Sequence, residues 1–190
     1  MLNTFYALLG RMKYIDRWCL MRSSRPENLC EHTLETAYIA HALVLLNRQR
    51  GGQLEPEKAV LYALYHDCTE ILTGDMPTPI KYDNPAIRKA YKEVEAVAEE
   101  KLLHMLPEEF QPVYAPILTV TDPETERLVK AADKLSAYIK CVEELKAGNS
   151  EFRDAAAQTR AALEEYELPE VTYFLETFMP SFSLTLDQLK

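Results

Sequence analysis

His66-Asp67, followed by Glu70, places an imidazole and two carboxylates within five residues of a predicted helix. Helix residues three and four apart share a face, so His66 is expected beside Glu70, with Asp67 close to both. Such a group is half of a site for a hydrated divalent metal ion. The other half must come from elsewhere, and His32 and Asp133, each on its own predicted helix, are the candidates. Two neutral imidazoles and two carboxylates suit a borderline ion such as Mn²⁺, Co²⁺, Fe²⁺ or Zn²⁺. Four protein ligands leave room for water, which a metal acidifies into a nucleophile near neutral pH. Glu70 is placed to orient or deprotonate that water.

The elements that must position these residues read as helices throughout, with no alternating segment that demands a strand. A first helix is expected over 4–12. Asn28, with Glu31 three residues on, opens a second that runs to about Arg50 and stops at Gly51-Gly52. Pro56 opens a third, predicted to continue through His66-Asp67 to Leu72 and to end at Gly74. Asn84-Pro85 starts a long helix with Ile87, Tyr91, Val94, Ala98, Leu102 and Met105 in one stripe. After a short helix between Pro107 and Leu118, Asp122-Pro123 opens another with the stripe Leu128, Ala132, Leu135, Ile139 and Val142, closed by Gly148. Two more are expected over 150–166 and 169–178. The fold class is all-α, in one domain spanning 1–190.

Polar residues interrupt these apolar seams at telling places. His32 falls among Leu29, Thr36, Ile39, Leu43 and Leu46, and Asp67 among Val60, Leu64 and Ile71. His66 and Glu70 share a row with Ala59 and Ala63, whose small side chains leave space. Asp133 sits beside its helix's stripe, in line with Val129. A buried carboxylate is normally paired or metal-bound, because leaving it alone costs several kcal/mol. His41 lies on the opposite side of its helix from His32 and reads as structural; His104, near a helix C-terminus, reads as a surface residue.

Composition bounds the answer further. The chain has 190 residues, 47% of them hydrophobic and 5 of them Gly, which suits a compact core. A net charge of -9 argues against polymeric nucleic acid as a partner. A small anion is a different matter, because between Arg11 and Arg25 the chain carries Arg11, Lys13, Arg17, Arg22 and Arg25 against Asp16 alone, and this basic stretch leads into the helix bearing His32. Cys19, Cys30, Cys68 and Cys141 lack paired spacing and read as free thiols of a reducing compartment; a zinc site drawing on Cys30 and Cys68 stays open as an alternative. No stretch has the order of a signal peptide or the length of a membrane span. The expected location is cytoplasmic, with no membrane association.

A histidine, a His-Asp doublet and a distant aspartate resemble the HD-domain metal phosphohydrolases. More specifically, Arg17-Trp18, Glu31-His32-Thr33, Tyr65-His66-Asp67 through Glu70, and the loop Thr73-Gly74-Asp75-Met76-Pro77-Thr78-Pro79 resemble the YfbR-like 5′-deoxynucleotidases. The likeness extends nearly the whole chain, to Lys140-Cys141-Val142-Glu143-Glu144-Leu145 and Pro180-Ser181-Phe182. It implies His32, His66, Asp67 and Asp133 as metal ligands and Glu70 as the catalytic acid. It further implies Arg17 as the phosphate-orienting arginine, with Trp18 beside it in the substrate pocket. Asp75, Met76, Pro77 and Thr78 match the loop that contacts the sugar, while His32, Asp67 and Asp133 also border the substrate. The family hydrolyses deoxyribonucleoside 5′-monophosphates with a divalent transition metal, as homodimers; cobalt or manganese is expected, with zinc, iron and copper also open.

Two other readings compete. Another HD phosphohydrolase would act on a cyclic nucleotide, a nucleoside triphosphate or a guanosine polyphosphate. Dinuclear members need extra histidines between the doublet and the last aspartate, where this chain has only His104. A non-catalytic, metal-stabilised helical scaffold would have no use for Glu70 beside its metal.

Overall fold

The computed structural model describes every residue except Met1, Thr78, Pro79, Lys81, Tyr82 and Asp83. Its described residues form helices joined by short turns, with no strand; the nearest thing to one is an isolated antiparallel bridge between Asp16 and Asn28. The helices are α1 (Phe5–Leu9), α2 (Leu29–Gln49), α3 (Pro56–Tyr65), α4 (Glu70–Thr73), α5 (Pro85–His104), α6 (Gln111–Leu118), α7 (Pro123–Lys146), α8 (Arg153–Glu164) and α9 (Pro169–Thr177). Short 3₁₀ turns at Met12–Tyr14, Ser150–Phe152, Met179–Ser183 and Leu186–Leu189 complete them. No helix among the described residues is long and apolar enough to cross a membrane.

The helix starts follow local chemistry. Asn28, Asn84 and Asp122 each take non-helical backbone angles and accept a hydrogen bond from a first-turn amide, at Glu31, Ile87 and Thr125. Each satisfies a donor that the helix itself cannot. Pro56, Pro85 and Pro123 stand in the first turn, where no amide hydrogen is needed.

Helices α2, α3 and α7 pack together at the centre. Ile39, Leu43 and Val44 of α2 meet Ala59 and Ala63 of α3 and Leu128, Ala132, Leu135 and Ile139 of α7, all buried. Burying each of the Ile, Leu and Val side chains contributes about 1.5–3 kcal/mol, so the seams that carry the polar interruptions are also what bind the three helices. The fully buried Ala59 and Ala63 hold no bulk between α3 and α2. A second cluster around Phe5, Met12, Leu29, Cys68, Leu102 and Leu118 anchors the N-terminal segment beneath α5 and α6. Cys68 packs there, and Cys30 is exposed, so neither thiol stands in the metal cluster described below.

Three sequence expectations need correction. The first helix ends at Leu9 and is followed by a separate 3₁₀ turn. On α5, Val94 is half exposed rather than part of the buried stripe, whose inward members are Tyr91, Ala98 and Leu102. The consequential one concerns α3, which stops at Tyr65 instead of running to Leu72. The Ala63 carbonyl is taken by His66 Nδ1 at 2.7 Å, and the chain tightens into i→i+3 bonds from Cys68 to Tyr65 and from Glu70 to Asp67. A new helix then starts at Glu70 and ends at Gly74, whose φ of +75° favours glycine. The continuous helix expected between His66 and Glu70 is thus interrupted, with His66 in the turn and Glu70 opening the next helix.

Candidate metal centre

His32 lies in the first turn of α2, positioned by the Asn28 cap, and is 0% exposed. Its Nδ1 is 3.0 Å from Ser136 Oγ on α7. Its Nε2 is 3.0 Å from Asp133 Oδ1 and 3.5 Å from Asp67 Oδ2. His66, in the turn after α3, has its ring 5.4 Å from that of His32, centroid to centroid. With His66 Nδ1 bonded to the Ala63 carbonyl, its buried Nε2 makes no hydrogen bond among the described residues, although Asp67 Oδ2 is 3.2 Å away. One ligand atom from each of His32, His66 and Asp133 falls within 4.8 Å of the other two. Thus α2, the turn after α3 and α7 bring together all four residues singled out in the sequence.

Arg17 closes this group on one side. Its Nη1 donates to Asp67 Oδ2 at 3.2 Å, and its Nη2 is 3.9 Å from Asp133 Oδ1. Glu27 Oε2, 3.4 Å from Arg17 Nε, also accepts the Trp18 indole N–H at 2.9 Å. The Trp18 ring stacks obliquely on Phe152, with centroids 5.3 Å apart. Trp18 holds a left-handed φ of +59°, a strained conformation for a bulky residue. Antiparallel contacts from Arg17 N to the Glu27 carbonyl and from Leu29 N to the Ile15 carbonyl tie off the loop that carries both side chains. Glu70 is buried at the start of α4 and near enough to help hold the Arg17 charge in place. Asp75, Met76 and Pro77 follow Gly74 as an irregular, half-buried stretch, and the Tyr91 hydroxyl reaches both Thr73 Oγ1 and the Gly74 carbonyl. Thr78, together with Pro79 and Lys81, lies outside the described residues.

The electrostatics of the group are those of an anionic cup. Burial opposes ionisation of Asp67 and Asp133, but the neighbouring histidines and Arg17 outweigh it and hold both carboxyls far below the usual range. Burial and the Arg17 charge push the His32 imidazole down, so it is neutral. Burial also opposes charge on His66, yet Asp67 and Asp133 raise it to about 9. A dication fits this donor set: the unbonded His66 Nε2 aims at the carboxylates, and an ion would replace the proton they attract.

Sequence reasoning missed Glu27, Glu35 and Ser136, and named Lys140 and Glu144 without a role; all five support this group or the loop that carries Arg17. Glu35 and Ser136 stand three residues after His32 and Asp133, one helical turn along the same faces, and that spacing was the available signal. Glu144 accepts the backbone amides of Ser24 and Arg25 at 2.7 and 3.4 Å and the Asn149 side chain at 2.8 Å, and Lys140 bonds both Glu144 and the Arg25 carbonyl. His41 and His104 are exposed and take no part.

The architecture is that of the HD-domain fold. An HD-domain phosphohydrolase from Listeria innocua superposes with a TM-score of 0.83 at 23% identity, over 95% of this chain and 88% of that one. An HD phosphohydrolase of cyanophage S-2L, solved bound to dA and one catalytic Zn²⁺ ion, superposes with a TM-score of 0.65 at 21% identity, over 90% and 93%. Residues 4–182 match the family described as 5′-deoxynucleotidase YfbR-like. A 5′-deoxynucleotidase of Vibrio parahaemolyticus is 54% identical over 188 residues, 97% of each chain. The chain belongs to the YfbR-like 5′-deoxynucleotidase family.

Proposed function

We propose that this protein hydrolyses deoxyribonucleoside 5′-monophosphates to deoxynucleoside and phosphate. The observation that carries the reading is the meeting of His32, His66, Asp67 and Asp133 around a buried point, with the Arg17 guanidinium against them. The family membership and the deoxynucleoside ligand of the cyanophage neighbour agree with it. These four residues would hold one divalent ion, which when bound neutralises phosphate charge and supplies an acidified water.

The chain's own groups do the rest. Arg17 presents a planar fork suited to two phosphate oxygens, anchored from behind by Glu27. The oxygen of water bonds to phosphorus while the P–O5′ bond breaks. Glu70 takes the proton that the water loses and returns it to the departing 5′-oxygen. Trp18, with Asp75, Met76, Pro77 and Thr78, receives the nucleoside, and Asp75 accepts a hydrogen bond from a sugar hydroxyl. Cobalt or manganese is the proposed ion, the cytoplasm the proposed location and a homodimer the proposed assembly. The half-exposed rings of Tyr173 and Phe178 support that assembly, whereas Phe174 is buried in the protein's own core. Light scattering that gives a monomer at micromolar concentration would exclude the dimer.

Phosphate release from a panel of deoxy- and ribonucleoside monophosphates, with the metal varied, tests the activity. His66→Ala and Asp67→Ala should each lose both metal and turnover. Glu70→Gln should keep metal and nucleotide binding and lose turnover by roughly 10²–10⁴-fold. Arg17→Ala should weaken turnover and nucleotide binding together while binding of the deoxynucleoside product changes less. Parental turnover in Glu70→Gln would remove Glu70 from the chemistry.

A further inference from the structure

We propose that Ser136 and Glu35 are positioning residues for the metal centre, fixing His32 in the tautomer whose Nε2 lone pair is free. This rests on the metal site proposed above. Ser136 Oγ lies 3.0 Å from His32 Nδ1 and 2.6 Å from Glu35 Oε2, linking α7 twice to α2. His32 and Ser136 are both 0% exposed, so solvent does not compete for these bonds.

The direction of the chain follows from proton counting. An ionised carboxylate only accepts, so the single Ser136 hydroxyl proton goes to Glu35. The Ser136 oxygen is then an acceptor for His32, which must carry its proton on Nδ1. That leaves His32 Nε2 without a proton, facing Asp133 and Asp67. The opposite arrangement has an advocate, because Asp133 Oδ1 at 3.0 Å would hold a proton on Nε2 and so block the ligand lone pair. Glu35 and Ser136 decide this competition. A neutral imidazole ligand is ordinarily oriented by the partner of its other nitrogen, and losing that partner typically weakens metal binding by 10–100-fold. Burial, opposed by the Ser136 hydrogen bond and Arg17 but reinforced by Glu27 and Glu143, pushes the Glu35 carboxyl up to about 7, so at pH 8 it is mainly the acceptor this scheme requires.

The test compares the parent with Ser136→Ala, Glu35→Ala and Glu35→Gln at pH 8. The imidazole ¹⁵N shifts of His32 in chelator-treated protein report the tautomer without any metal. The expected result is the Nδ1–H form in the parent and in Glu35→Gln, whose amide oxygen still accepts from Ser136, and the Nε2–H form in Ser136→Ala and Glu35→Ala. Titration with Co²⁺, followed by its visible absorption, should show affinity reduced 10–100-fold in the two alanine variants and rescued in Glu35→Gln. An unchanged His32 tautomer in both alanine variants would overturn the proposal, as would Co²⁺ affinity equal to that of the parent. Should Ser136→Ala fail to fold, the Glu35 pair decides alone, since Glu35 is only half buried. A parent that binds no Co²⁺ would instead refute the metal reading, which the tautomer measurement does not depend on.

Discussion

Replacing Glu35 by Gln should stabilise the metal-free protein progressively as pH rises above about 4.5, with the full gain reached just above pH 7. The Glu35 carboxyl sits at about 7 against an ordinary 4.5; burial is the main cause, with Glu27 and Glu143 adding to it and the Ser136 hydrogen bond and Arg17 opposing it. Because its folded-state value is raised, the folded protein holds this proton more tightly than the unfolded chain does. Stability is therefore favoured at low pH and falls as pH rises from about 4.5 to about 7, then levels off. At 1.36 kcal/mol per pH unit the gap corresponds to roughly 3 kcal/mol, and screening at a half-buried site trims this to about 2 kcal/mol. Gln keeps the shape and the acceptor oxygen but has no charge to desolvate. Urea unfolding in the presence of a chelator should give nearly equal stabilities for the two proteins at pH 5. At pH 8 the variant's midpoint should be higher by about 1 M, given the usual urea dependence of 1–3 kcal/mol per M. Other groups titrate alike in both proteins, so the difference between their pH profiles isolates Glu35. Profiles that run parallel from pH 4 to 8 would refute the argument that burial holds this proton.

Two further substitutions probe the loop that carries Arg17. Glu144→Ala strands the buried Lys140 cation and frees the amides of Ser24 and Arg25, so it should cost about 3–5 kcal/mol in urea unfolding and raise KM for nucleotide. Burial works against the Glu144 charge, but Lys140, Asn149 and Ser24 bring its carboxyl down to about 2, so its contribution is complete above pH 4.5 and is lost as pH falls toward 2. An acid-unfolding midpoint of Glu144→Ala matching that of the parent would contradict this. Glu27→Ala removes the shared anchor of Arg17 Nε and Trp18 Nε1 and should raise KM for nucleotide roughly tenfold. Its metal affinity, measured by Co²⁺ titration, should stay at the parental level.

Much of this protein is written in short stretches of sequence, because helix formation is decided locally. Asn28, Pro56, Asn84-Pro85 and Asp122-Pro123 start helices by supplying acceptors for, or dispensing with, the first amides, and each helix begins there. The apolar period of α2 and α7 named the buried seams, and a buried His32 within such a seam needed a partner. The His-Asp doublet, with the Thr-Gly-Asp-Met-Pro loop, likewise pointed to its family. What sequence period could not reveal is the break at Tyr65. It arises when the His66 ring takes the Ala63 carbonyl, a competition between side chain and ladder that spacing does not record. Nor could spacing pair Glu35 with Ser136, 101 residues away, or set Arg17 between Asp67 and Asp133. Those meetings depend on how α2, α3 and α7 rotate about their axes when their seams close. The rotation is chosen by the packing of every buried side chain at once, and only the tertiary structure records it.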